Sequence, residues 1–222
     1  KGRSPGMKRA VQNIVAKGDR DKLVLAMFTY AHNSYLTEKY FVSGLKKLGI
    51  ESADVLLLGY FTKKPGKRLV DGALKLKEKG LIRHIGLSSH NRLLFPEIRD
   101  EFDLFHIRYN ASNRGAETET FPYLQGQDRP GVVSFTATKW RQLLSKKKMP
   151  KGEVPLTASD CYRFVLTNPA VDVCMMGAKN LDEMRQNLSV LDKGPMTGDE
   201  LAHVLKIGNY VYGKKKVSEK AR

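Results

Sequence analysis

The residues best suited to chemistry stand at the ends of apolar runs. Ser88-Ser89-His90-Asn91 follows Ile82, Ile85 and Leu87, a run of strand length that itself follows the helix stop Gly80. Two hydroxyls, an imidazole and a carboxamide at the end of a buried strand can hold a polar ligand or move a proton. In a barrel of alternating strands and helices, that end carries the chemistry. Gly177-Ala178-Lys179 closes a second run, Val171 to Met176, and opens a helix that carries Gln186-Asn187. Glycine there permits close approach to the backbone, and the helix N-terminus offers free N–H groups to a phosphate.

The elements that position these clusters alternate along the chain. Met7, Ala10, Val11, Ile14 and Val15 lie at helical spacing, and Leu23 to Phe28 is a continuous apolar run. Tyr40, Phe41, Leu45 and Leu48 mark a helix stopped by Gly49, before a strand from Ala53 to Tyr60. Leu69, Ala73 and Leu76 stripe a helix that ends at Gly80 and feeds the strand at 82–87. Further strands read at Phe102 to Arg108, Gly131 to Ala137 and Val171 to Met176. Thr157 caps a helix carrying Cys161, Phe164 and Val165, with Asp160 completing a capping box. Two more helices are capped near Asn180 and by Thr197.

Apolar strands separated by amphipathic helices imply a parallel sheet with helical crossovers. Six strands are visible where a closed barrel needs eight, so either two units precede Lys1 or the sheet is open and doubly wound. No Gly-x-Gly-x-x-Gly follows any strand, which favours the barrel. The domain expected is residues 1–213, with a basic tail at 214–222. The irregular stretches at 110–130 and 139–156 follow strand ends and read as functional loops over one face.

The composition, 41% hydrophobic and 28% charged, is that of a globular domain, and no membrane-length apolar stretch occurs. The only two cysteines, Cys161 and Cys174, suit buried thiols in a cytoplasmic protein and make neither a disulfide framework nor a metal site. The net charge is +16, but its clusters are confined to Lys146-Lys147-Lys148 and Lys214-Lys215-Lys216. Without aromatic-basic interleaving it argues for an anionic cofactor or for solubility rather than specific nucleic-acid binding.

The Ser-Ser-His-Asn cluster, Gly177-Ala178-Lys179 and Gln186-Asn187 together resemble the aldo/keto reductase family over nearly the whole chain. That resemblance implies a (β/α)₈ TIM barrel with about six of its eight strands present. It further implies an oxidoreductase that uses NADP or NAD to reduce a small-molecule carbonyl. Ser88 and Ser89 match a pair that holds the nicotinamide carboxamide, and His106, in the strand running on to Asn110, stands where a glutamine is usual. Thr138, Lys139 and Trp140 fall where the pyrophosphate is bound. Asn168-Pro169-Ala170-Val171 through Gly177, Ala178 and Lys179 resembles the last strand and its phosphate turn. Gln186 and Asn187 stand near the adenine, and Asn180 takes the place of the arginine for a ribose 2′-phosphate.

The catalytic half departs from the family. Phe28 falls at the lysine and Gly59 at the histidine. Lys1-Gly2-Arg3-Ser4 resembles the remnant of the tyrosine turn, and the aspartate falls before residue 1. Tyr30, His32, Tyr60 and Lys63 lie just beyond the strand ends as substitute acids. Two readings follow: a carbonyl reductase with replaced catalytic residues, or a barrel that has lost the reaction and is kept for cofactor binding or interaction.

Overall fold

The computed structural model describes residues 5–220, with side chains to Gly213, so the tyrosine-turn remnant at 1–4 lies outside the described residues. The chain divides into two compact units, residues 1–94 with 100–104, and 95–99 with 105–222.

In the first unit, α1 (Pro5–Ala16) precedes three strands, β1 (Ala26–Thr29), β2 (Val55–Phe61) and β3 (His84–Ser89). The strands are parallel and adjacent in chain order, with Ala26 opposite Val55 and Val55 opposite His84. The crossovers are α2 (Ser34–Leu48) and α3 (Lys67–Glu78). Asn33 caps α2 by accepting from the Leu36 N–H, and Gly49 ends it in the left-handed conformation at φ 71°. The stripe Leu69, Ala73 and Leu76 is the buried face of α3.

The second unit carries β4 (Leu104–Arg108) from Phe105 on, β5 (Gly131–Phe135) and β6 (Val173–Cys174), again in chain order. A single-turn helix, α4, spans Leu94–Glu97, and another, α5, spans Ala116–Glu119. The longer helices are α6 (Ala158–Thr167), α7 (Leu181–Leu188) and α8 (Gly198–Lys220). Both halves of the Thr157/Asp160 capping box form, and Asn180 caps α7. The strand expected at 171–176 pairs only over Val173 and Cys174. The helix α8 runs on through the basic segment from Lys214 to Lys220. Cys161 is buried and Cys174 half-buried, and loss of solvation pushes the Cys174 thiol up to about 12. No described helix is long and apolar enough to cross a membrane.

An aspartate at the foot of every second strand accepts the N–H of the chain entering, or within, its neighbour. Asp54 takes the Leu25 N–H at 2.8 Å, Asp103 the Ile85 N–H at 2.7 Å and Asp172 the Val132 N–H at 2.7 Å. Arginines complete two of these pins. Arg20 meets Asp54 at 3.0 Å, and Arg129 forks onto Asp172 at 2.7 and 2.8 Å. Burial pushes the Asp54 carboxyl up, but the Leu25 N–H, Arg20 and Arg83 together outweigh it and leave it below the ordinary value of 3.8. The Arg129 bonds likewise hold Asp172 low.

Because both folded carboxyls lie below their unfolded value, their contribution is complete above about pH 4 and is lost as the pH falls further. Urea midpoints should therefore hold from pH 7 to 5 and drop below 4, with a shallower drop in Asp54→Asn/Asp172→Asn. A second test concerns α8, where Gly208 lies so close to the Ala111 carbonyl that a Cβ would overlap it at 2.1 Å. Gly208→Ala should lose about 1–3 kcal/mol in urea denaturation through overpacking against backbone.

Candidate functional site

The chain leaving β5 turns through an unusual backbone. Thr136 has φ 57°, and Lys139, Trp140 and Arg141 follow at 49°, 50° and 65°. Each left-handed L-residue costs about 1–2 kcal/mol, and a β-branched one is a rarer outlier still. The Thr136 hydroxyl is buried and makes no hydrogen bond among the described residues.

Specific bonds hold this turn. The Thr136 carbonyl accepts from the Lys139 N–H at 2.8 Å and from Asn110 Nδ2 at 2.9 Å. Asn110 is fully buried, and its Oδ1 also accepts the Ser112 and Asn113 N–H groups. Lys139 is 3% exposed, and its ammonium donates inward to Ser112 Oγ at 2.5 Å and to the Val211 carbonyl of α8 at 3.3 Å. Asn110 and Lys139, both expected at the cofactor, thus brace the turn in this conformation. Trp140 is exposed, with the Arg108 guanidinium over its ring at 5.9 Å.

The turn forms one wall of a cleft of about 260 Å³, lined by Thr138 and Arg141 on that side and by Tyr162 of α6 and Gly177 opposite. Its remaining wall is one face of α7, Glu183 with Gln186 and Asn187 at helical spacings of three and four. Arg141 donates through both terminal nitrogens to Glu183 Oε1 at 3.2 Å. Glu183 Oε2 accepts the Lys179 N–H at 3.0 Å. That amide bond first, then Arg141, holds the Glu183 carboxyl below its usual range. Burial pushes the Tyr162 hydroxyl up, although the Gly177 amide beside it acts in the opposite direction. Asn187 is 2% exposed and lines the cleft, and the fully buried, unpartnered side-chain atoms among the described residues are Arg108 Nε and the Thr136 hydroxyl.

The other expected residues have local roles. His106 is buried, with Nε2 3.0 Å from Met175 Sδ and its ring stacked on Phe135 at 4.3 Å. In the first unit Ser88 is buried, while the Ser89 hydroxyl donates to the Phe61 carbonyl at 2.5 Å and accepts the Asn91 N–H at 2.9 Å. Ala178 is half-buried and Lys179 exposed, beside the N-terminus of α7. Arg141, Tyr162 and Glu183 were not among the residues expected here. Only Glu183 carried a signal, three positions after the cap Asn180.

At the ends of β1 and β2, Phe28, Tyr30 and Tyr60 form a ladder with ring centroids 5.2 and 5.0 Å apart. Tyr60 is left-handed at φ 62°, and His32 stacks on Phe61. Neither the Tyr30 nor the Tyr60 hydroxyl has a hydrogen-bond partner among the described residues. No group of three His, Cys, Asp or Glu side chains among those residues could hold a metal ion.

The contrast between two buried asparagines is testable by stability alone. Asn110→Ala should lose about 1–3 kcal/mol in urea denaturation, since three backbone partners are left unsatisfied. Asn187→Ala, which abandons no bond, should change stability by less than half of that.

No family model matches the sequence, and no curated protein does. Among solved structures, the holo form of aldo-keto reductase AKR11C1 from Bacillus halodurans is similar at 20% identity and a TM-score of 0.73, over 90% of this chain and 76% of that one. Its apo form is similar at 21% identity with the same TM-score and coverage. The chain therefore has the α/β fold of aldo-keto reductases, with six of the strands of a (β/α)₈ barrel.

Proposed function

We propose that this protein is an oxidoreductase of the aldo/keto reductase type whose second unit binds the adenosine end of a nicotinamide dinucleotide, NADP or NAD. The observation that carries the reading is the cleft beside the N-terminus of α7, lined by Gly177, Gln186 and Asn187. An adenine ring edge offers both a donor and an acceptor to the Asn187 amide. Gly177 adds access, since nothing lies within 4 Å of where its Cβ would be. The bound cofactor would supply hydride to a carbonyl carbon. Gln186 and Asn187 would orient the base, and the free N–H groups of α7 and its turn would face phosphate.

The first unit argues for slow chemistry. Phe28 cannot lower the pKa of a proton donor, and Gly59 cannot orient a carbonyl oxygen. The candidate acids Tyr30 and Tyr60 are in ring contact with their neighbours and have no lysine or carboxylate hydrogen-bonded to their hydroxyls. Loss of general-acid assistance alone lowers rates by about 10²–10⁴-fold. This favours, as a second reading, a barrel retained for cofactor binding or interaction with little turnover. The free cysteines suit a cytoplasmic setting.

The single tryptophan makes a direct test available. Trp140 stands on the turn that walls the cleft, so NADPH or NADH should quench its emission saturably, and Asn187→Ala should weaken that binding. Absence of quenching, with no heat of binding by calorimetry, would reject the dinucleotide reading. Consumption at 340 nm with aldehydes, ketones and quinones then separates the two readings. Turnover of about 1 s⁻¹ or above would establish an ordinary enzyme with a replacement acid.

A further inference from the structure

The first unit puts a large aromatic surface into water at the ends of β1 and β2. Phe28 is 41% exposed, Tyr30 59%, Tyr40 58% and Tyr60 63%. Tyr30 stacks on Tyr60 at 5.0 Å and on Phe28 at 5.2 Å, and the His90 ring stands 5.8 Å beyond Tyr60. Contiguous exposed apolar surface of this kind marks a site of interaction. Tyr60 holds its exposed ring from a left-handed backbone at φ 62°, a strained geometry of the sort that collects at binding sites. Beside the ladder an open hollow of about 610 Å³ is lined by Phe28, Tyr30, His32, Leu36 and Tyr40.

Cations edge the same surface. The Lys39 ammonium lies 5.8 Å from the centroid of the Tyr35 ring, and the exposed Lys63 follows Phe61 by two residues. Neither lysine is paired with a carboxylate among the described residues, whereas Glu38, next to Lys39, is taken by Lys79 and Glu101 by Lys64. The chain as a whole carries +16, which neither the strand pins nor the cleft uses up. Basic and aromatic residues are not interleaved along the sequence, but the fold interleaves them here from three segments. We infer that this aromatic shelf is a sequence-independent docking site for single-stranded nucleic acid, with bases stacked on the Tyr30–Tyr60 ladder and phosphates against Lys39 and Lys63. Every base has a face to stack, so such a shelf tolerates any sequence, while the phosphates supply a salt-dependent share of the affinity. A duplex hides its base faces and gains only the second share. The inference stands apart from the dinucleotide reading and uses no residue of the cleft beside α7.

The test is fluorescence anisotropy on the full chain with labelled strands of about 15 nucleotides. Oligo-dT and oligo-rU arms tell DNA from RNA, and tight binding of either supports the inference. At low salt the better of the two should bind about tenfold or more tighter than an abasic strand of equal length and than a duplex, the scale of one base–ring stack. Tyr30→Leu and Tyr60→Leu should each weaken that strand by about tenfold and leave the abasic strand unmoved. Tyr60→Phe keeps the ring and should retain binding, which separates lost stacking from a folding defect. Lys39→Gln combined with Lys63→Gln should flatten the dependence of affinity on salt. Abasic or duplex DNA held as tightly as the single strand, affinities unmoved by both leucine variants, a salt dependence unmoved by the lysine variant, or no binding of either strand would each overturn the inference.

Discussion

Three consecutive left-handed residues, Lys139, Trp140 and Arg141, fix what the second unit can present. Such a run of non-glycine residues is unfavourable by a few kcal/mol and persists only where its surroundings over-determine it. Here they do. The Asn110 amide holds the Thr136 carbonyl, the Lys139 ammonium reaches Ser112 and the Val211 carbonyl, and Arg141 closes onto Glu183. The geometry sends alternate cations in opposite directions. Lys139 goes inward as a strut to α8, and Arg141 goes outward to the cleft. A relaxed turn at this point would leave no guanidinium facing α7.

The strand feet supply the frame that this strain works against. Asp172 pins the Val132 amide and Arg129 just before the two-residue β6, and so sets where the chain emerges as Gly177 and starts α7. With so short a ladder, the carboxylate does much of the alignment that strand pairing does elsewhere. The same device at Asp54 aligns β1 with β2, whose ladder is longer. The pins lie at one end of the strands and the polar clusters at the other, so the groups that stabilise the sheet are separated from those free to bind.

The sequence made local chemistry legible. Gly49 and Gly80 are left-handed stops, Thr157 with Asp160 is a closed capping box, and Asn180 caps α7, all as their residue types demand. The helix stripes and the parallel strand order followed from apolar periodicity alone. Side-chain direction in irregular backbone did not. Nothing in Thr138-Lys139-Trp140-Arg141 announces three positive φ angles, nor that the Lys139 ammonium turns inward while Arg141 lines the cleft. Asn110, read the same way, spends its amide on Thr136, Ser112 and Asn113. Asn187 reads like Asn110 in sequence, yet it lines the cleft rather than bracing a turn.

Positions 28 and 59 are sterically one unit. A Cβ on Gly59 would stand 2.5 Å from the Phe28 ring and 2.9 Å from Tyr30. No side chain fits at 59 while Phe28 and Tyr30 lie where they do, and the ladder exists because position 59 has none. Phe28, Tyr30 and Tyr60 therefore form one packed set at the ends of β1 and β2, held by aromatic contact. A side chain placed at 59 alone would overlap these rings, and a lysine placed at 28 alone would be an isolated ammonium beside them. The ends of β1 and β2 are thus closed by packed rings, whereas the cleft beside α7 stays open, with Asn187 and the Arg141–Glu183 pair on its lining.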